Sequence, residues 1–290
     1  MQIARFHHPA PRTALLFSLV LAGSWLAINF AFPDLVQTGI PNLVTRSTIQ
    51  VVLLTGLWLG LARTELTKDA RFAVWLVIAA ALTVWLATVW DLAISGVFQP
   101  GPGVVVRAPA LPIAIFFPLL IGLPILLLSK RIGSLLDAMP PSWLIGVQLY
   151  RIFGGIFLVR WVGGELPAVF ALPAGLGDLL VGVMALPAAL SLAYGMPNGR
   201  SSAVAWNILG ILDLAIAVTM GALTSPGPLQ LITPDHPNLL IGTFPTVMIP
   251  AFAVPSSILL HALSLRQLRR LAQRDVSSSP MAGTDNALPA

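Results

Sequence analysis

The feature that most constrains this chain is a succession of long apolar stretches separated by short polar segments. A helix of about 20 apolar residues can cross the hydrocarbon core of a bilayer, because all of its backbone groups are satisfied within the helix itself. We therefore predict an all-α integral membrane protein with about eight transmembrane helices, which cover roughly residues 13–32, 43–62, 72–94, 109–129, 142–162, 170–194, 202–222 and 243–265.

Composition supports a membrane protein and argues against sites that depend on a cofactor. Charged residues are only 9% of the chain and the mean hydropathy is +0.88, which leaves too little charge to cover a soluble domain. There is no cysteine, and both lysines flank predicted spans. We predict no metal site, no cofactor and no catalytic residue. The net charge of +5 lies beside apolar spans, which favours the lipid bilayer over nucleic acid as a partner.

The distribution of basic residues predicts the orientation of the chain. Cytoplasmic segments of membrane proteins carry an excess of lysine and arginine. If the amino terminus is inside, most of the 16 basic residues fall on the inner side, while Arg46, Arg107 and Arg160 fall on the outer side. We predict that both termini are cytoplasmic, in a bacterial cytoplasmic (inner) membrane. The first apolar run exceeds the usual 7–15 residues of a signal peptide, so we expect a retained anchor.

The predicted spans divide the chain into two halves with short tails. The terminal segment RQLRRLAQR at 266–274 is basic and suits anionic lipid headgroups, and residues 275–290 have the composition of a disordered tail. The expected parts are a cytoplasmic tail 1–12, a four-helix half 13–129, a cytoplasmic loop 130–141, a second four-helix half 142–265 and a basic, then disordered tail 266–290.

Two segments repeat a pattern and suggest an internal duplication. Residues 88–102 and 211–228 each contain Asp-Leu-Ala-Ile followed by Pro-Gly-Pro. The spans that follow them also match, because 116–128 and 248–260 each carry a pair of prolines. A parallel four-plus-four duplication would explain both matches, since membrane transport folds often contain repeats. The alternative is chance similarity among apolar helices of low complexity.

Polar side chains at membrane depth are the candidate functional residues. Charges there are costly and usually face the bundle interior with a partner. Counting about 1.5 Å of rise per residue places Arg151 and Asp213 near the bilayer centre, so we predict that they pair. The same count predicts that Arg160 meets Asp178, with Glu165 above them. It also predicts that Asn207 and His261, which lie nearer the inner face, are neighbours. The full candidate set is Arg151, Asp178, Asp213, Arg160, Asn207, Tyr150, Glu165 and His261.

Three functional hypotheses fit this pattern. The leading one is a transporter-like protein that binds a small polar or anionic solute or ion at these residues, because guanidinium suits carboxylate and phosphate. The alternative is a non-catalytic membrane scaffold or assembly subunit whose ion pairs fix helix register. A second alternative is an intramembrane enzyme acting on a lipid or isoprenoid, in which the acids and His261 converge on one cavity. Ser257 and His261 lie four residues apart on one helix face, the spacing of a serine nucleophile and its base, although no serine-hydrolase motif accompanies them. The sequence favours a non-enzymatic role and leaves the oligomeric state open.

Overall fold

The computed structural model of the protein describes residues 10–34, 39–99 and 110–278. These residues form helices and connecting turns, with no β-strand among them. Within this part of the chain, eight helices are long and apolar enough to cross a membrane. We call them spans one to eight: Pro11–Ala31, Ile40–Leu61, Lys68–Ile94, Ala110–Leu128, Ser142–Val162, Ala168–Ala193, Gly199–Thr224 and Ile249–Asp275. The protein is an all-α, multi-pass integral membrane protein, as its apolar pattern predicts.

Two of the spans contain stretches that are not α-helical. Span five has a 3₁₀ segment, Val147–Gly155, between short α-helices Ser142–Gly146 and Ile156–Val162. Span eight begins with a π-helical stretch, Ile249–Ala253, and continues as the α-helix Val254–Ser278. Long 3₁₀ runs are uncommon, and π turns concentrate at functional sites. At membrane depth such backbone is tolerated where it is buried in protein or lines a cavity.

Proline contributes to the break in span eight but does not interrupt span four. Pro250 lies in the π-helical stretch and Pro255 follows it, and each removes a backbone donor from the helix. In contrast, Pro118 and Pro124 lie inside the continuous helix Ala110–Leu128. The paired prolines of the two halves therefore have different effects on backbone geometry.

Span six is the centre of the second half of the molecule. It packs against spans one, five and seven, and small residues along it allow the close approach. Spans two and three pack against each other and expose most of their surface. Only 11% of their most apolar stretches is buried, against 56% in spans five and eight. In a bilayer the exposed apolar surface faces lipid, so the protected interior lies mainly among spans five to eight.

The segment between spans four and five is a short helix, Lys130–Ala138, rather than an irregular loop. Ser129 begins it by accepting a hydrogen bond from the Ile132 amide at 3.4 Å. Asp137 near its end binds Arg270 and Arg274, the latter at 2.5 Å. The hydrogen bond from Arg270 holds the pKa of the Asp137 carboxyl below its usual value. This helix is thereby attached to the end of span eight.

The basic segment 266–274 continues span eight as a helix and makes protein contacts. Arg266 donates to the Ser129 carbonyl at 2.8 Å, and Gln267 donates to the carbonyls of Leu136 and Met139 at 2.5 and 2.7 Å. Arg269 is exposed. The predicted contact with lipid headgroups stays a prediction, and it now rests mainly on Arg269.

Several predicted boundaries shift, and some predictions fall outside the described residues. The first helix begins at Ala10, so residues 10–12 are not part of a tail, and the last helix continues to Ser278, so residues 275–278 are helical. The rest of the predicted tails, at 1–9 and 279–290, lies outside the described residues, as does the Pro-Gly-Pro at 100–102.

Candidate functional site

Arg151 is the centre of a buried polar network. It lies on the 3₁₀ segment of span five and is 3% exposed. Its Nε donates to Asp178 Oδ1 at 2.7 Å, and Nη2 forms an ion pair with the same oxygen at 2.6 Å. Nη2 also donates to Asp213 Oδ2. Its Nη1 donates to the Gly210 carbonyl at 3.2 Å. The predicted pair with Asp213 is confirmed, and Asp178 is a second partner that depth alone did not assign to Arg151.

His261 joins this network as a neutral imidazole. Asn207 Nδ2 donates to the Ala203 carbonyl at 2.8 Å and contacts Ser264 Oγ at 3.0 Å, which fixes the orientation of the amide. Asn207 Oδ1 can only accept, so His261 Nδ1, at 3.0 Å, carries the proton. A guanidinium only donates, so His261 Nε2 accepts from Arg151 Nη1 at 3.3 Å. The predicted proximity of Asn207 and His261 is confirmed.

The predicted pair between Arg160 and Asp178 is wrong. Arg160 Nη1 instead binds the two carboxylate oxygens of Glu165 at 2.7 and 2.9 Å, across the turn that ends span five. Counting residues along a helix gives a layer, but it ignores helix tilt, the facing direction and the reach of an arginine side chain. The Glu165 side chain is 39% exposed, so this pair lies at the edge of the protein and apart from the Arg151 network.

Three glycines leave the space that the network side chains occupy. A methyl group on any of them would collide with a polar side chain of a neighbouring span: Gly154 against Asp178, Gly177 against Asp213 and Gly210 against His261. Gly175, which the sequence also places just before Asp178, abuts Leu158 and serves helix contact only. The spans approach closely because these positions carry no side chain.

A small cavity lies beside Arg151. Its volume is about 30 Å³, which is enough for roughly one water molecule. Hydroxyls of Tyr150 and Ser257 meet there at 2.6 Å. Both irregular stretches contribute to its wall, the 3₁₀ segment through residues that include Gly154 and the π stretch through Ile249 and Ala253. The irregular backbone of both spans thus lines a cavity, which is where a membrane tolerates it.

Arg46 is a site residue that sequence reasoning missed. We placed it on the outer side, but span two begins at Ile40 and carries Arg46 about 9 Å into the helix. It is 8% exposed and lines the cavity with Arg151. Its Nε donates to Asn42 Oδ1 at 3.3 Å, and no described carboxylate lies within ion-pair distance. The available signal was an arginine inside an apolar stretch.

Six of the eight predicted site residues therefore meet, and two do not. Those in or beside the Arg151 network are Tyr150, Arg151, Asp178, Asn207, Asp213 and His261. Arg160 and Glu165 form a separate pair.

The geometry does not support Ser257 and His261 as a nucleophile and its base. Ser257 Oγ bonds Tyr150 Oη, while both ring nitrogens of His261 face other partners. A serine nucleophile needs a base within hydrogen-bond reach of its hydroxyl. Among the described residues, the Ser257 hydroxyl instead faces the phenol.

A larger groove lies between the turn after span five and the loop before span eight. Its volume is about 450 Å³, and its wall includes Trp161, Pro167 and Ile232. Its ionisable residues, Asp235 and His236, are exposed. No buried charge of the described wall points into this groove, so we place the candidate site at the smaller cavity.

Comparison with known proteins identifies a family and no relative of known activity. No curated protein and no solved structure matched the chain. Residues 108–269 match a domain of unknown function, DUF8737. This region carries Arg151, Asp178, Asp213 and His261, whereas Arg46 lies before it. The match covers more than half of the 290 residues, and the chain belongs to the DUF8737 family.

Proposed function

We propose that this protein is transporter-like and binds a small monovalent anion in the cavity between Arg46 and Arg151. The observation that carries the proposal is the environment of Arg46. Its guanidinium is buried beside the cavity, and its two Nη groups have no acceptor among the described residues. These donors face the cavity without an acceptor in the described part of the chain, and an anion there would satisfy them.

The broken helices support a transport role. In many transporters the substrate site lies near the bilayer midplane, where discontinuous helices turn irregular backbone toward a cavity. Here the 3₁₀ segment of span five and the π stretch of span eight both line the cavity that Arg46 faces. The 3₁₀ segment also carries Tyr150, and Ser257 lies one turn beyond the π stretch on the α-helix that follows it.

The cavity limits the size of the ligand. A volume of about 30 Å³ admits an ion of about the size of a water molecule, such as chloride or fluoride. The hydroxyls of Tyr150 and Ser257 lie on the same wall, and because one of them donates to the other, only one O–H remains to donate to an anion. Larger anions such as gluconate do not fit this conformation, which makes gluconate a suitable control.

A scaffold role is the second candidate, and one observation favours it. The donors of Arg151 are engaged by Asp178, Asp213, Gly210 and His261, so this part of the network is complete without any ligand. A complete buried network fixes helix register. The transporter-like role and the scaffold role differ in what they require of Arg46. A scaffold does not need Arg46 to face an open cavity.

Replacing Arg46 with glutamine is expected to abolish stabilisation by small anions. Wild-type protein in nanodiscs should unfold at a higher temperature in sodium chloride or fluoride than in sodium gluconate of equal ionic strength, because ligand binding stabilises the folded state. Arg46→Gln should lose this difference, since the Nη donors that hold the anion are removed. Thermal unfolding across these salts is the measurement.

The matched control for this test is Arg200→Gln. Arg200 is a surface arginine paired with Asp275, far from the cavity wall, so its removal lowers the net charge equally. It should keep the anion response. If no small anion shifts the wild type, or if Arg46→Gln responds as strongly as wild type, anion binding at this cavity is refuted and the scaffold role gains support.

The proposal includes an orientation with both termini in the cytoplasm of a bacterium, across its inner membrane. The absence of cysteine makes this directly testable, because a single introduced cysteine is the only thiol. Ser134→Cys on the short helix and Asp235→Cys in the loop before span eight are both at exposed positions. An impermeant maleimide should label intact cells at residue 235 and not at residue 134. The opposite pattern would reverse the orientation.

The four-plus-four duplication stays a prediction. Its support is the sequence match that places Asp91 and Asp213 at corresponding positions of spans three and seven. The two residues have different surroundings, since Asp91 is exposed and Asp213 is buried against Arg151. A common origin would therefore have been followed by divergence in how the two halves pack.

A further inference from the structure

We propose that the anion moves together with one proton, which binds Asp178. This inference rests on the proposed anion site and adds its coupling ion. It follows from the charges around the cavity, from the position of one free carboxylate oxygen, and from the orientation of His261.

The charges around the cavity already balance without a ligand. Arg46 and Arg151 contribute two positive charges, and Asp178 and Asp213 contribute two negative charges. His261 is neutral, because Nδ1 donates to Asn207 and Nε2 accepts from Arg151. A monovalent anion would leave one net negative charge in a region of low dielectric, where such an imbalance is costly. One proton restores neutrality.

Asp178 is the carboxylate placed to take this proton. Its Oδ1 accepts the hydrogen bond from Arg151 Nε and forms the ion pair with Nη2, whereas Oδ2 lies beside Gly154 and has no hydrogen-bond partner among the described residues. Asp178 and Gly154 both line the cavity, and Asp213 does not. An anion held by Arg46 would thus face Asp178 across a space of about one water molecule, and a nearby negative charge favours the protonated carboxyl.

The other ionisable groups near Asp178 are less suited to accept the proton. From span five it faces Arg151 and Tyr150, and from span two Arg46, all of which are already protonated. Protonation of His261 Nε2, on span eight, would set a cation against Arg151. Asp213, on span seven, is held away from the cavity, and span one has no ionisable residue beyond Arg12.

The proton step needs no further reactant. As the anion enters, a hydronium ion gives one proton to Asp178 Oδ2 and leaves as water, so one of its O–H bonds breaks as the new O–H bond forms. Oδ1 keeps its hydrogen bond to Arg151 Nε. When the anion leaves on the other side, the O–H bond breaks and the proton returns to water. Each cycle carries one anion and one proton, so transport is electroneutral.

Chloride efflux from proteoliposomes tests the coupling. Vesicles containing the full-length protein, potassium chloride and the pH dye pyranine are diluted into sodium gluconate, and a chloride electrode follows efflux with and without valinomycin. Coupled transport predicts efflux that does not depend on valinomycin, together with alkalinisation of the lumen. Efflux that occurs only with valinomycin would leave anion transport standing and refute proton coupling. Absence of efflux under both conditions would refute the proposed function and the coupling together.

The assignment to Asp178 is tested by substitution and by infrared spectroscopy. Asp178→Asn should make efflux dependent on valinomycin, because the anion then balances the remaining charges without a proton. Glu165→Gln, which changes a carboxyl outside the cavity, should behave as wild type.

Infrared difference spectroscopy detects the proton itself. Replacing gluconate with chloride in the buffer should produce the carbonyl band of a protonated carboxyl in wild type and Glu165→Gln, and this band should be lost in Asp178→Asn. A band that persists in Asp178→Asn would place the proton elsewhere. If Asp178→Asn does not fold, the wild type alone still tests proton coupling, through the valinomycin dependence of its chloride efflux and through its infrared difference spectrum.

Discussion

Replacing Arg151 with glutamine is expected to lower the free energy of unfolding by about 3–5 kcal/mol, the usual cost of removing one partner from a buried ion pair. The reason is that Arg151 holds Asp178 and Asp213 at the same time, and the Arg151 side chain is 1% exposed. Without the guanidinium, two carboxylates stay at membrane depth with no cation in contact. Denaturant unfolding of the wild type and the variant in the same lipid environment measures the loss.

Two comparisons make this expectation specific. Arg160→Gln removes an arginine whose partner Glu165 is partly exposed, so it should cost clearly less. Adding Asp178→Asn and Asp213→Asn to Arg151→Gln should recover much of the stability, because no unpaired carboxylate is then buried. If Arg151→Gln costs no more than Arg160→Gln, or if the triple variant is the least stable of all, the network does not stabilise the fold in the way we describe.

Replacing Gly177 with alanine is the second substitution with a large expected effect. The added methyl would overlap Asp213 Oδ1, and relief requires either that the carboxylate leaves Arg151 or that spans six and seven move apart. Overpacking of this kind costs about 1–3 kcal/mol and occasionally more. The same denaturant experiment should show the loss, and the anion response of the protein should weaken with it.

Gly56→Ala is the matched control for this substitution. Gly56 also lies inside a spanning helix, but a methyl group there would have no neighbour within 4 Å. Alanine is the better helix former, so this variant should be unchanged or more stable by up to about 1 kcal/mol. Equal effects of the two substitutions would mean that Gly177 acts through helix propensity alone, and that its contact with Asp213 is unimportant.

Hydrophobic length was sufficient to predict the eight spans because lipid leaves few alternatives to a helix. The largest difference at an end is in span eight, where the prediction stopped at residue 265 and the helix runs to Ser278. The basic residues after 265 suggested a boundary, yet Gln267 and Leu268 are buried there. The continued helix is held by contacts with the short helix Lys130–Ala138, and such contacts cannot be read from hydropathy.

The candidate site was predictable in part. Depth along each helix was enough to bring Arg151 to Asp213 and Asn207 to His261, because these residues share a layer. It failed for Arg160, since the chain turns back at the end of span five and offers Glu165 as a nearer partner. It also failed for Arg46, whose inward direction depends on how span two is rotated. The pattern of a single sequence predicts the depth of a charged residue in the membrane more readily than the direction it faces around its helix axis.

The 3₁₀ winding of span five has a consequence for its length and angular phase. Its nine residues run about 4.5 Å longer than they would as an α-helix, and they complete about three turns instead of two and a half. Side chains three residues apart therefore lie in line, which places the buried Gln148 directly below Arg151 on the same face. Conversion of this segment to an α-helix would shorten the span by about 4.5 Å and rotate one end by about half a turn relative to the other. Arg151 lies in the middle of the segment and would rotate by about a quarter turn relative to either end. The 3₁₀ winding therefore contributes to the direction in which Arg151 faces its two carboxylates.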